Sequence, residues 1–207
     1  MTQLKYSRGR TLYLVRLAVL AVILFLLEFT GIGYIKTPGI ELTIMQVPVI
    51  VGAIILGPGA GAILGGLFGL TSFLQAVSGK SAFGLMLFNM NPLGAILTTI
   101  PTRILMGLLC GLFFRFLKGR MKSQNLRYIL SSLSGALLNT VFFMSVLMLF
   151  YYQSELFQEI AESLGSKNAL LFVFAFIGLQ GAIEAVVCAV LGTAITRAVS
   201  KSVRLES

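Results

Sequence analysis

Apolar residues run in long blocks rather than in alternation along this chain, and the polar residues gather between the blocks. Six blocks stand out, at residues 12–30, 42–56, 60–77, 93–117, 128–151 and 168–197. Most are near the length of about 20 residues that an α-helix needs to cross a bilayer. Each is predicted to be a helix, because lipid offers no partner for backbone N–H and C=O groups. The second block is short and ends at Gly57-Pro58-Gly59, which leaves no room for a polar loop and predicts a tight hairpin with the third.

The connecting segments differ in kind. Residues 31–41 combine Gly, Pro and mixed charge and are expected to form a loop. Residues 153–167 carry Glu155, Glu159 and Glu162 and predict a short amphipathic helix. Residues 78–92 are long yet apolar, with Phe83, Leu85, Met86, Leu87, Phe88 and Met90. Such a loop must bury itself as a lid over a cavity, as a re-entrant piece or against helix ends.

Composition agrees with this pattern. Of 207 residues, 57% are hydrophobic and 11% charged, with a mean hydropathy of +0.95. That excludes an ordinary soluble domain and makes a multi-pass membrane protein, with lipid as its surroundings, the expectation. The fold class expected is an all-α, six-span bundle forming one domain over residues 1–207. No cleavable signal peptide is expected, since the basic N-terminus runs into an apolar stretch too long for a signal core.

The formal charge of +9 comes from 16 Lys and Arg against 7 Asp and Glu. Such a balance would point to nucleic acid in a soluble protein. Here the basic residues collect in three segments, and no nucleic-acid partner is expected. Lys5, Arg8, Arg10 and Arg16 precede or enter the first span, Arg115, Lys118, Arg120, Lys122 and Arg127 surround the fourth-to-fifth connection, and Arg197, Lys201 and Arg204 lie at the end. Only Lys36, Lys80 and Lys167 fall on the opposite side. The positive-inside rule therefore places both termini in the cytoplasm of a bacterial plasma membrane.

One basic residue escapes this pattern. Arg103 lies inside the fourth apolar block, roughly 15 Å below its outer end at 1.5 Å per residue. A guanidinium stays charged in place, and its cost at mid-bilayer is put at roughly 2.5 to over 10 kcal/mol. It must hold an anionic ligand or pair with a buried acid, and Glu184 is the candidate acid. Asn139 lies at a similar depth, and Gln180 and Glu184 share one face of the sixth block. Asn89, Asn91, Gln46 and Gln75 lie near the outer mouth, and Glu28 near the outer end of the first span. Convergent polar groups of this kind describe a small-molecule site. The candidate ligand contacts are Arg103, Asn139, Asn91, Gln180, Glu184, Asn89 and Gln75.

Other chemistry is poorly supported. The chain has no His and only Cys110 and Cys188, both within apolar blocks. No metal or cofactor is expected, and an intramembrane enzyme lacks a base, a nucleophile pair or a carboxylate dyad. Gly57, Gly61, Gly65 and Gly69 recur at every fourth position. This bares one helix face for internal packing or for a partner. No Walker lysine follows these glycines, so any energy for transport must come from elsewhere.

The stretch Pro48-Val49-Ile50-Val51-Gly52-Ala53-Ile54-Ile55-Leu56-Gly57-Pro58-Gly59-Ala60-Gly61-Ala62 resembles the second-to-third helix signature of energy-coupling factor (ECF) transporter S components. The span count, the length and the basic arm are similar too. That resemblance implies a vitamin-binding subunit working with a transmembrane coupling subunit and two ATPases, which consume the ATP. Pro101-Thr102-Arg103 and Gly135-Ala136-Leu137-Leu138-Asn139 resemble the pantothenate-specific members. Pantothenate offers a carboxylate for Arg and hydroxyls and an amide for Asn and Gln. Folate and biotin also carry carboxylates. Riboflavin does not, and it asks for aromatic stacking in a chain without Trp. S components usually dock their coupling subunit through an Ala-x-x-x-Ala face on the first helix. Here Ala18 is followed four residues later by Val22, with Ala21 out of step, so docking there is expected without its usual motif. The remaining alternative is a membrane assembly protein in which Arg103 and Glu184 form a staple.

Overall fold

A computed structural model of the chain describes residues 2–36, 41–166 and 168–205. In order, its elements are α1 (Thr2–Thr30), β1 (Tyr34–Lys36), β2 (Glu41–Thr43), α2 (Gln46–Ile55), α3 (Pro58–Ser78), α4 (Ala82–Met90), α5 (Pro92–Arg120), α6 (Gln124–Tyr151), α7 (Glu155–Ser163) and α8 (Ala169–Leu205). Among the described residues, five helical stretches are long and apolar enough to cross a membrane: Gly9–Thr30, Pro58–Ser78, Pro92–Arg120, Gln124–Tyr151 and Gln180–Ser202.

The second apolar block departs from expectation. Only Gln46–Ile55 is helical, and the block's first two residues, Leu42 and Thr43, belong to β2. At about 1.5 Å per residue, α2 rises only about 15 Å, half the hydrocarbon thickness of about 30 Å. Its packing explains why so short a helix suffices. Every residue from Gln46 to Ile54 is buried, and Val47, Ile50, Val51, Ala53 and Ile54 form a core with Cys110, Tyr128, Ala136, Ala185 and Cys188. Other helices, not lipid, surround α2.

The expected 31–41 loop forms much of a two-stranded antiparallel hairpin, with Tyr34 opposite Thr43 and Lys36 opposite Glu41. Its tip, residues 37–40, lies outside the described residues, as does Lys167. The apolar 78–92 segment is no loop but the helix α4. Gly79, at φ +75°, ends α3, and the Ser81 hydroxyl caps α4 by accepting from Gly84 N–H. Asn91 and Pro92 stop α4 and start α5. Leu87 of α4 is buried with Met144, Leu147, Tyr151, Phe157 and Phe172, which binds α4 to the ends of α6, α7 and α8. The amphipathic helix expected within 153–167 is α7.

The glycine repeat packs inside the protein. A Cβ at Gly61 would overlap the Gly107 carbonyl, one at Gly107 would overlap the Gly61 carbonyl, and one at Gly65 would overlap the Arg103 carbonyl. At Gly69 it would stand 2.7 Å from the Thr99 carbonyl oxygen. Thus α3 and α5 meet backbone to backbone, and that seam fixes the depth and rotation of Arg103. Gly57, at φ +102°, makes the α2–α3 turn beneath the Arg115 guanidinium. In contrast, α1 packs through one stripe, Leu17, Leu20, Ala21, Leu24 and Leu27. Ala18 is exposed, Val22 is 55% exposed, and Ala21 is half-buried.

Candidate functional site

Local sequence sets the pose of Arg103. Pro101 has no N–H to give the Leu97 carbonyl, so the ladder of α5 lacks one bond just before Arg103. Helical side chains lean toward the N-terminus, and Arg103 folds back over this turn. Its Nη1 donates to Thr98 O at 2.9 Å, Thr99 O at 3.2 Å and Thr102 Oγ1 at 3.3 Å. The guanidinium carbon stands 4.9 Å from the Phe68 ring centroid and 5.3 Å from that of Phe143. Two ring faces and two carbonyls thus stabilise a charge that is only 7% exposed.

One edge of that guanidinium is left over. Its Nε is buried with no hydrogen-bond partner, and Asn139 Oδ1 on α6 is in the same condition. Both residues line one cavity of about 120 Å³. Its walls come from the hairpin through Tyr34 and Thr43, from α3 through Ser72 and Gln75, and from α8 through Gln180 and Glu184. Phe83 and Leu87 of α4 complete it. An unpaired donor edge and an unpaired amide oxygen lining one cavity suit a ligand that carries both an anion and a hydrogen-bond donor.

The structure brings five of the seven sequence candidates to this cavity: Arg103, Asn139, Gln180, Glu184 and Gln75. Asn91 stands apart, its side chain capping α5 by accepting from Gly94 N–H at 3.0 Å. Asn89 faces a separate cleft with Ser154 and Glu155. The alternative of an Arg103–Glu184 staple is not formed. Glu184 Oε1 accepts from Thr43 N–H at 2.8 Å and Oε2 from Gln46 Nε2 at 3.4 Å. Among the described residues, the hydrogen bonds of Arg103 go to α5 alone.

Tyr34, Ser72, Thr43, Phe68 and Phe143 were not singled out from the sequence. Tyr34 donates to Glu28 Oε2 at 3.2 Å and lies 3.5 Å from Ser72 Oγ. Burial pushes its phenol well above the usual tyrosine range, so it remains a neutral donor. The mixed charge of the segment containing Tyr34 was a weak signal. Phe68 and Phe143 gave none, being two among 16 Phe in an apolar chain.

Among the described residues, the one buried guanidinium, that of Arg103, opens onto a cavity in a bundle of membrane-length helices, the arrangement of a membrane-embedded component with an internal site. The chain belongs to the family described as the ECF transporter, substrate-specific component, whose model matches residues 12–195. It is similar to the pantothenate transporter PanT of Leuconostoc mesenteroides, 38% identical over 144 residues, or 65% of this chain and 67% of that protein. It is also similar to the pantothenic acid transporter PanT of Lactococcus lactis, 30% identical over 169 residues, or 77% of this chain and 78% of that protein. The protein is accordingly a multi-pass membrane component of a transporter and not an enzyme.

Proposed function

We propose that this protein captures pantothenate from outside the cell and delivers it to an ATP-driven importer. The observation that carries this reading is the pairing of an unpartnered Arg103 Nε with an unpartnered Asn139 Oδ1 in one cavity. Nη1 is committed to α5, so the Nε–Nη2 edge is the one that receives the carboxylate, side-on and through two parallel hydrogen bonds. Asn139 Oδ1 accepts from a ligand hydroxyl or amide, and Gln75 and Gln180 complete the polar lining. The names of the two relatives support the choice of pantothenate over biotin, folate or riboflavin.

In this reading the chain crosses the membrane six times, with residues 42–56, which hold β2 and α2, making the second crossing and both termini in the cytoplasm. The exposed face of α1 that carries Ala18 and Val22, next to Ala21, docks the coupling subunit. Two ATPase subunits bound to that partner consume ATP, and this chain needs no cofactor.

Calorimetric titration of the purified protein with a vitamin panel tests the proposal. Pantothenate is expected to bind at nanomolar to low micromolar affinity without ATP, with biotin, folate and riboflavin far weaker. Arg103→Ala is expected to weaken pantothenate by about 2–5 kcal/mol, the cost of leaving one member of a buried charge pair alone. Panthenol, which has a hydroxymethyl group in place of the carboxylate, is expected to bind wild type and variant equally weakly. Unchanged pantothenate affinity in Arg103→Ala would remove the carboxylate contact, and mass spectrometry of co-purified small molecules would then identify the ligand.

A further inference from the structure

The cavity wall formed by β1 and β2 touches the bundle through two carboxylates from two different helices. On the β1 side, Tyr34 donates its hydroxyl to Glu28 of α1. On the β2 side, Thr43 N–H donates at 2.8 Å to Glu184 of α8, a residue 141 positions away. The other Glu184 oxygen takes Gln46 Nε2 at the start of α2. Gln180, one turn earlier on α8, also hydrogen-bonds to Glu184. Glu184 is only 7% exposed, and both of its oxygens are engaged by the protein.

The same carboxylate also reaches the helix that follows the hairpin, through the Gln46 side chain at 3.4 Å. At the N-cap position of α2 stands Met45, whose side chain makes no cap hydrogen bond. A helix start leaves N–H groups unpaired and carries partial positive charge, which an anion stabilises. The Glu184 carboxylate stands at the junction where β2 turns into α2, bonded to Thr43 N–H and to the Gln46 side chain, while Met45 N–H goes to Thr43 Oγ1 at 3.2 Å.

We propose that Glu184 is a positioning residue. It holds the hairpin closed against the cavity and so governs ligand retention without itself gripping the ligand. This rests on the cavity being the ligand site, but the role assigned to Glu184 is visible in the ligand-free protein. Breaking the Thr43–Glu184 bond frees the β2 side of the hairpin from α8, which makes that bond part of the barrier to ligand exit. The hairpin is thereby coupled to α8 on one strand and to α1 on the other.

Hydrogen exchange on the ligand-free protein in lipid nanodiscs, paired with pantothenate dissociation rates, tests this. Glu184→Ala is expected to speed exchange of the amides of β2 and the first turn of α2 by about tenfold to a hundredfold, the equivalent of losing a hydrogen bond to a buried charge. Exchange within α3 and α5 should stay unchanged, and pantothenate should dissociate faster by a similar factor. Glu184→Gln keeps an acceptor for Thr43 N–H and should restore most of both effects. The proposal is overturned if Glu184→Ala leaves hairpin exchange unchanged. It is equally overturned if Glu184→Gln lowers affinity as far as Glu184→Ala does while hairpin exchange stays at the wild-type rate, the signature of a direct ligand contact. If wild type binds no pantothenate, the vitamin assignment fails, and the exchange comparison still decides the role of Glu184.

Discussion

Arg103 keeps its charge inside the bundle with helix carbonyls and aromatic faces in place of a counter-ion. Such an arrangement satisfies part of the guanidinium and leaves one edge in need. The same need holds at Asn139, where the unpaired atom is an acceptor. Asn139→Ala is therefore expected to weaken pantothenate by about 1 kcal/mol, close to the value of one neutral hydrogen bond. Asn139→Asp should weaken it further by placing a second anion beside the carboxylate, and calorimetry ranks the two. Tyr34 titrates above its ordinary value of about 10, because burial disfavours its phenolate. The neutral donor form is complete below that ordinary value and is lost only as pH rises through the raised one. Dissociation rates measured across pH should thus show no Tyr34-dependent change below about pH 10. Arg103, Asn139, Gln75, Gln180 and Glu184 were legible in the sequence because each interrupts an apolar block. Phe68 and Phe143 were not, since a ring facing a guanidinium and a ring facing lipid look alike in one dimension.

Among the elements, the α3–α5 seam is the most sensitive to side-chain volume. Gly61→Val and Gly107→Val place side-chain atoms where a backbone carbonyl now stands. They should cost at least the roughly 1–3 kcal/mol of core overpacking. Gly59→Ala meets nothing within 4 Å and Gly66→Ala meets only Ile104 side-chain atoms from 3.5 Å, so both should be tolerated; thermal unfolding in detergent separates the two pairs. The fourfold glycine spacing announced this seam in the sequence, though not which helix fills it. Two other elements were misread for a physical reason. A short apolar run does not distinguish a buried helix from a strand, so Leu42 and Thr43 were assigned to a helix that begins at Gln46. The 78–92 segment was read as a loop because it is shorter than a span, although Ser81 is a good cap residue and Gly79 and Pro92 are good stops.

For the whole molecule, the distribution of basic residues makes a topological prediction. In intact cells, cysteines placed by Gly119→Cys and Ser202→Cys should be shielded from a membrane-impermeant maleimide, and one placed by Lys80→Cys should be labelled. Labelling of the Ser202→Cys protein alone would rule out six crossings. The native Cys110 and Cys188 are both 0% exposed and should stay silent in this experiment. The backbone-to-backbone seam also has a mechanical meaning. Two helices whose carbonyls sit in each other's glycine notches cannot slide without lifting apart, so α3 and α5 behave as a keel. The hairpin hangs from a few hydrogen bonds, and α1 leans on a single stripe. Stiffness is therefore concentrated beneath the cargo and compliance above and beside it, so a partner that pushes on α1 strains the roof of the compartment before its floor.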